Sequence, residues 1–598
     1  MVTFMAQVEA RPQTAFAATA APTIGELWRR GVEAGFERPA FLVREEAGWR
    51  PVGWDEAATR VSALANGFLA AGLRKGDKVA LLCRTRIEWT LADFALATIG
   101  AVVIPVYPTS SPDEIEYILR DSDAKVLISE DEEQLAKTRD LEGALPALER
   151  VLGVDVAASG GTLADIEAAG PGYALEHPLA VTQSASDVGP EDVLTFLYTS
   201  GTTGPPKGCV LTQRNYAAMV ESILGVDGLF RDDDTVLLFL PLAHNFARLI
   251  QFLCPALGFT LAFCPDVRGV SAALAEVKPT LFPSVPRVYE KVYATVMATA
   301  NESSPLKRRI AEWSFAVGEK RVRGGRGPLL AAQSALADRL VLGKVRARLG
   351  GRMRYAVSGG APLAPEIAEF FEACGLTILE GYGMTECTTA ATLNRPGRNR
   401  IRTVGQALPG IELKIDADGE ILIRGATVFG GYYRNPEATA ETLTEDGWLR
   451  SGDIGTIDGD GYLTITDRKK DIIITAGGKN VAPQGIENSL KASAYVSQAL
   501  VVGDNRPYLV ALLTVDRDEV AALGEPGSEA VREAVQKTVD EVNETLGRVE
   551  QIKRFAILER DFSPEEGEVT PTLKLKRRIC IEHFAGVVED LYAEGGRD

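Results

Sequence analysis

Between residues 198 and 208 the chain reads Tyr198-Thr199-Ser200-Gly201-Thr202-Thr203-Gly204-Pro205-Pro206-Lys207-Gly208, directly after the apolar run VLTFL. Its glycines let the backbone turn tightly and expose N–H groups, its hydroxyls add donors, and Lys207 adds positive charge. Together these suit a polyphosphate. The segment is not a GxxxxGK[ST] loop, because Pro206 stands at the second glycine position and Gly208 replaces the Ser/Thr. An ordinary polar turn is the bland alternative, but so many donors gathered at one strand end have few structural uses.

Further chemistry follows downstream. In GYGMTE (381–386), Gly381 and Gly383 allow a ligand to approach the backbone, and Tyr382 offers an aromatic face for a purine. Thr385 and Glu386 supply hard oxygen ligands. SGGAPL (358–363), with Gly359, Gly360, Ala361 and Pro362, sets small residues at a predicted strand end. In RSGD, Asp453 has the chemistry to accept both hydroxyls of a ribose, as an acidic residue does in dinucleotide folds. Arg468, in DRKKD, is a forked donor for the same ribose or for a phosphate. For Asp453 and Arg468 the plain alternative is a salt bridge at a domain boundary.

These residues need a frame to hold them. From Lys78 the pattern runs KVALLC strand, helix over Trp89–Ile99, VVIPVY strand, helix from Pro112, KVLIS strand, which predicts βαβαβ and a parallel sheet covered on both faces. Ser111, Pro112 and Glu114 predict a capping box at the second helix. More strands are expected at 193–200, 235–240, 260–264 and 353–359, and 293–349 reads as mostly helical. After Gly405 short β-runs separated by turns take over (IELKID, EILIRG, DGDGYLTIT). A second boundary falls near Asp467. From Ile472 a compact α+β module is expected, with strands at QALVVGD and YLVALLTV and helices near 526–546 and 578–592.

YTSGTTGPPKG resembles the phosphate loop of the acyl-adenylate-forming superfamily, and SGGAPL, GYGMTE, WLRSGD (448–453), DRKKD (467–471) and GGKNVAP (477–483) match its other blocks in order. PLAHNFAR (241–248), FPSVPRVYEKVY (282–293), the helical insert after it and TPTLKLKRR (570–578) resemble its long-chain fatty acid–CoA ligase branch. The resemblance implies an α/β fold. A flexible tail (1–22) precedes a large multi-subdomain domain (23–466) with layered parallel sheets and a small β-rich part. A hinge (467–471) then leads to a small mobile α+β domain (472–598). It also implies ATP, Mg²⁺ and coenzyme A, with a fatty acid as the acyl substrate.

Residue by residue, the resemblance implies Mg²⁺ on Glu386 with Thr199 as a second contact, and adenine against the 358–363 loop. Lys470 would be the pivot, and Gly477, Gly478 and Lys479 would pass close to the pantetheine arm of CoA. Lys574 aligns with the lysine that bridges the carboxylate and the α-phosphate. Many relatives read Ser-Gly-Lys there and this chain reads Thr572-Leu573-Lys574, a variation shared by the long-chain branch, so Lys576 is the fallback in register. His244 occupies a position where relatives place a histidine or aromatic residue beside the acyl carboxylate, although a lone histidine is often a packing residue.

Composition bounds the rest. The 598 residues carry 46% hydrophobic and 24% charged side chains, as a folded protein does, and a formal charge of −18 argues against nucleic acid as the partner. Seven scattered cysteines form no disulfide framework and no CxxC pair, and the three histidines (His177, His244, His583) have no ligand spacing. A cytoplasmic protein is expected. The apolar stretch Leu249–Cys264 is too short to span a bilayer and is interrupted by Gln251, Pro255 and Gly258. Peripheral membrane contact and a homodimer are left open. The basic run Lys307, Arg308, Arg309, Lys320, Arg321, Arg323, Arg326 reads as a solvated helix face or as a dock for CoA phosphates or an anionic membrane. Segments 239–264 and 353–393, with the helices after Tyr293, are expected to line an acyl tunnel. Alternatives to a CoA ligase are transfer of the adenylate to a carrier protein, a non-catalytic nucleotide sensor, or a kinase that releases ADP.

Overall fold

The computed structural model describes residues 21–141, 143–199, 205–301, 303–521, 523–563, 566–570 and 575–593. Most of the expected N-terminal tail lies outside them. Among the described residues one sheet has six strands, in the order Arg150–Gly153, Val126–Ser129, Lys78–Leu82, Val102–Val106, Val193–Thr199, Lys207–Thr212. The inner strands read as unbroken apolar runs because helices cover both faces, and every residue of Val102–Val106 is buried. All pairs are parallel except the last, where Lys207–Thr212 turns back antiparallel on Val193–Thr199. The segment expected to bind phosphate thus connects two antiparallel strands. Helix Pro112–Ser122 is capped as expected by Ser111, whose Oγ accepts from Glu114 N at 3.3 Å. Glu114 does not return the bond; its side chain belongs to the wall of the cavity described below.

The second sheet has nine strands among the described residues. Its parallel centre runs Thr377–Tyr382, Tyr355–Ser358, Leu281–Ser284, Thr235–Leu238, Thr260–Phe263 and Phe41–Glu45. Its edges depart from the expected parallel pattern. At one edge Gly48–Val52 pairs antiparallel with Phe41–Glu45, and at the other Thr392–Leu393 and Gln406–Ala407 pair antiparallel. The reason at the first edge is the tight turn between Glu45 and Gly48, since parallel neighbours need a long crossover.

The two layers are tied by helices Ile87–Ile99 and Asn245–Leu257. Arg248 donates from Nε to Asp93 Oδ2 at 2.9 Å and from Nη2 to Oδ1, and Gln251 donates to the same carboxylate at 2.8 Å. Both charges are fully buried, so removing either partner alone should cost about 3–5 kcal/mol. Helix Asn245–Leu257 therefore stands fixed, which matters because it carries one wall of the site.

A four-stranded antiparallel sheet follows (Ile411–Ile415, Glu420–Gly425, Leu449–Ile457, Leu463–Arg468). The main apolar core ends at Leu463, and separate cores begin at Ile473 around strands Val496–Val502, Leu509–Val515 and Ile552–Ile557. The helix expected near 578–592 is two, Arg577–His583 and Ala585–Ala593, with Phe584 between them outside helical geometry. Across the boundary Ala492 packs against the main core, and Arg287 donates to Ser497 Oγ at 3.3 Å and lies 3.7 Å from Asp516.

The segment expected to be helical holds Pro286–Asn301, Pro305–Val322 and Pro328–Ala337, the last running through a wide turn at Asp338–Leu342 into Gly343–Arg348.

Candidate active site

A cavity of about 680 Å³ opens where the two large sheets and the four-stranded sheet meet Thr570, Leu575 and Lys576. One end is apolar. Phe246, Leu249, Ile250 and Leu253 recur at helical spacing along Asn245–Leu257, and Ile223, Leu229 and Phe230 close the far side. The rigid mounting of that helix gives the apolar branch a fixed wall.

The polar end is built from strand and turn ends. Thr199 ends its strand, with Oγ1 3.9 Å from Cys209 Sγ, and Lys207 opens the returning strand. Ser200, Gly201, Thr202, Thr203 and Gly204 lie outside the described residues. Lys207 Nζ sits 5.3 Å over the ring of Tyr432, whose hydroxyl donates to Glu386 Oε1 at 2.7 Å. Glu386 is buried in the short turn Thr385–Cys387. Burial and the adjacent Glu386 carboxylate push the Tyr432 phenol far above its usual range, so it stays a donor.

Opposite, Tyr382 donates to Asp453 Oδ2 at 2.6 Å and Arg468 Nε donates to Asp453 Oδ1 at 3.1 Å. Asp453 is buried, and burial together with this carboxylate raises the Tyr382 phenol. Each carboxylate oxygen has a second lone pair, so a diol can still be accepted. Lys469, Lys470, Asp471 and Arg450 continue this wall. Thr385 also lines the cavity.

Gly359 and Gly360 line the cavity, with Gly360 in the left-handed region at φ 83°. Ala361 and Pro362 are exposed and outside the lining. Gly381 and Gly383 also line it, but the constraint on Gly383 comes from the protein itself. A Cβ there would stand 2.1 Å from the carbonyl of Thr389 and 2.5 Å from Ala390 Cα. Thr388 and Thr389 adopt positive φ (56° and 99°), and the buried Thr389 Oγ1 has no partner among the described residues, so this turn stores strain beside the cavity.

His244 caps helix Asn245–Leu257, with Nδ1 accepting from Phe246 N at 3.1 Å, and its ring lines the cavity. The packing and site readings thus coincide. Lys574 lies outside the described residues, but Thr570, Leu575 and Lys576 line the cavity. Gly477, Gly478 and Lys479 do not. They form an exposed turn in which Gly478 N donates to Thr475 O at 2.8 Å. The helices after Pro305 supply no lining residue, against the expectation of a tunnel wall, because their inner face packs on helix Pro365–Ala373 and their outer face is exposed.

Sequence reading missed Tyr432, Arg450, Lys469, Ile223, Leu229 and Phe230. Only the Gly-Gly-Tyr-Tyr run at 430–433 carries a local signal, an aromatic pair after a flexible turn.

Behind the 358–363 loop, Glu380 is buried and accepts from Leu363 N at 3.4 Å. Burial raises its carboxyl from 4.5 to about 7, against a small lowering by that hydrogen bond. The folded chain therefore holds a proton that the unfolded chain releases, and stability falls as pH rises from 4.5 to about 7. Glu380→Gln keeps an acceptor for Leu363 and should raise stability at pH 8 by about 3 kcal/mol. Near pH 4 it should change little. Thermal melts across pH check this, and an equal gain at both pH values would contradict it.

Comparison with known proteins gives the family. AMP-binding enzyme matches residues 28–433, and AMP-binding enzyme C-terminal domain matches 470–595. The chain is 41% identical over 570 residues to long-chain-fatty-acid–CoA ligase FadD15 of Mycobacterium bovis, covering 91% of this chain and 92% of that one. It is 33% identical over 595 residues to long chain acyl-CoA synthetase 7, peroxisomal, of Arabidopsis thaliana, covering 92% and 82%. Among solved structures, the adenylation domain of a carboxylate reductase from Mycobacterium chelonae superposes with a TM-score of 0.77 at 24% identity, covering 97% of this chain and 92% of that one. The anthranilate CoA ligase AuaEII, in complex with anthranoyl-AMP, gives 0.74 at 22%, covering 96% and 100%. At these identities the two structures speak for the fold. With the family matching both parts of the chain and whole-length relatives above 30% identity, the chain belongs to the AMP-binding enzymes, the acyl-adenylate-forming superfamily, in its long-chain fatty acid–CoA ligase branch.

Proposed function

We propose that this chain activates a long-chain fatty acid with ATP and passes the acyl group to coenzyme A. The observation that carries this reading is one cavity that joins a cluster of phosphate- and ribose-type side chains to an apolar branch. A carboxylate is a poor acyl donor because its leaving oxygen would depart as oxide. In the first step a carboxylate oxygen attacks the α-phosphorus of ATP, and pyrophosphate leaves. In the second the CoA thiol attacks the acyl carbonyl, loses its proton, and AMP departs.

Lys207 and the 199–204 hydroxyls bind phosphate, Tyr382 stacks on adenine and the 358–360 loop borders it, and Asp453 with Arg468 holds the ribose. His244 stands at the junction with the apolar branch, beside the acyl carboxylate. Lys574 bridges carboxylate and α-phosphate. Glu386, with Thr199, would hold Mg²⁺. Among the described residues no group of three His, Cys, Asp or Glu could hold a metal by itself, and a site of one carboxylate, one hydroxyl and substrate phosphate oxygens fits Mg²⁺. When bound, the ion offsets the charge of the phosphates.

We take residues 472–598 as a body that turns about Lys470, so that the Lys574 segment and the Gly477–Lys479 turn face the cavity alternately. Cavity-lining Thr570, Leu575 and Lys576, with the turn exposed, support the adenylating orientation here. Seven buried free cysteines fit a cytosolic site.

The test is acid-dependent AMP release over a ladder of acids from acetate to palmitate, with and without CoA. AMP and pyrophosphate are the expected products, with efficiency rising about fourfold per CH₂ until the apolar branch is full. ADP with orthophosphate, or equal efficiency on acetate and palmitate, would overturn the reading.

A further inference from the structure

We infer that Asn245 is a positioning residue that holds the Glu386 turn in place for a divalent cation, an inference that rests on the reading of Glu386 as the residue that would hold Mg²⁺. Asn245 is the first residue of helix Asn245–Leu257. Asparagine is a weak helix former, and the cap there is already supplied by His244. Even so, Asn245 is only 3% exposed, and it lines the cavity. A buried amide is costly unless its polar atoms are bonded, and here both ends are bonded across the fold. Oδ1 accepts from the hydroxyl of Tyr216, on helix Gln213–Leu224, and Nδ2 donates to Thr385 O at 3.4 Å. The orientation of the amide follows from its partners, because a backbone carbonyl can only accept. Tyr216 is fully buried, and burial raises its phenol, so it stays a donor.

Thr385 O belongs to the peptide that leads into Glu386. Within its own turn it accepts from Thr388 N at 3.0 Å, and the peptide after Glu386 is held as well, because Glu386 O accepts from Phe429 N at 2.8 Å. The carboxylate itself accepts from Tyr432. Glu386 thus springs from a backbone fastened on both sides. A three-residue turn followed by two residues at positive φ has little of its own to fix it. A carboxylate that shares a small cation with phosphate oxygens must nonetheless stand within about 0.5 Å of its place. Asn245 ties the turn to the helix that the buried Arg248–Asp93 pair immobilises. The same helix walls the apolar branch, so the Glu386 turn and the acyl wall share one fixed post.

ATP binding is measured on the full chain without fatty acid, so that no turnover occurs, once in Mg²⁺ and once in EDTA. The quantity read is the dissociation constant in EDTA divided by that in Mg²⁺. Mg²⁺ is expected to tighten binding, and Glu386→Gln to remove most of that gain. Asn245→Leu should lower the ratio about tenfold, with the constant in EDTA hardly moved. This variant also strands the Tyr216 hydroxyl, so Asn245→Leu with Tyr216→Phe is measured beside it. Removing both partners of a buried hydrogen bond is nearly neutral, so the melting temperature should recover while the ratio stays low. A ratio that recovers with the melting temperature, or equal weakening in Mg²⁺ and in EDTA, gives Asn245 a packing role alone and overturns the inference, with the Glu386 reading intact. A ratio left unchanged by Glu386→Gln overturns that reading and this inference with it.

Discussion

Lys574→Ala is expected to slow pyrophosphate release by about 10²–10³, the usual loss when one preorganised contact to developing charge is removed. Thioester formation from a supplied acyl-adenylate should nearly survive, because on the proposed reading the lysine serves only the phosphoryl step. Gly477→Leu should do the reverse, leaving pyrophosphate release intact while crowding the pantetheine path. Assaying the half-reactions separately decides the matter. Equal loss of both by both variants, in folded protein, would rule out alternating presentation. Lys576 lines the cavity, so a large loss in Lys576→Ala with Lys574→Ala unaffected would move the role by two residues.

Asp453→Ala should lower kcat/KM for ATP by about 10²–10³, since two hydrogen bonds from ribose to a buried charge are each worth about 1.5–3 kcal/mol. The KM for the fatty acid should hardly move. The alanine also strands the Tyr382 hydroxyl, at a cost of about 1–3 kcal/mol in stability, so the melting temperature must be measured alongside. Asp453→Asn keeps an acceptor for Tyr382 and should separate the two effects, with near-normal stability and a large loss for ATP. An unchanged KM for ATP in both variants would refute the ribose assignment.

The inner strands were legible in the sequence because burial on both faces leaves an unmistakable apolar run, as in VVIPV and VLTFLYT. The N-terminal hairpin Phe41–Val52 was not legible: it forms a sheet edge, its residues are largely half-exposed, and alternation is weak there. The side chains that chemistry demands are easy to name from type, hence Glu386, Asp453 and Lys207. Their neighbours are harder. Tyr432 reaches Glu386 from 46 positions away, and no periodicity marks such a pair. Ile223, Leu229 and Phe230 come from a helix end and the connection after it, where a 3.6-residue pattern has nothing to say. Gly383 was read as room for a ligand and turns out to be room for the chain's own Thr389–Ala390 backbone; sequence alone cannot separate these. The hairpin after Pro305 is the opposite case. Its misassignment as a tunnel wall was avoidable, since so dense a set of basic residues could not have been buried.

The main core closes at Leu463 and the next opens at Ile473, so the chain crosses between them once, through a handful of residues. A leash that short keeps everything on the far side at an effective concentration in the millimolar range or above, whatever the dilution of the enzyme. On the proposed rotation, the face that meets the cavity is then chosen by turning and by which ligand is bound, as a first-order competition. Diluting the enzyme leaves that competition untouched, and lengthening the leash with flexible residues weakens both presentations together.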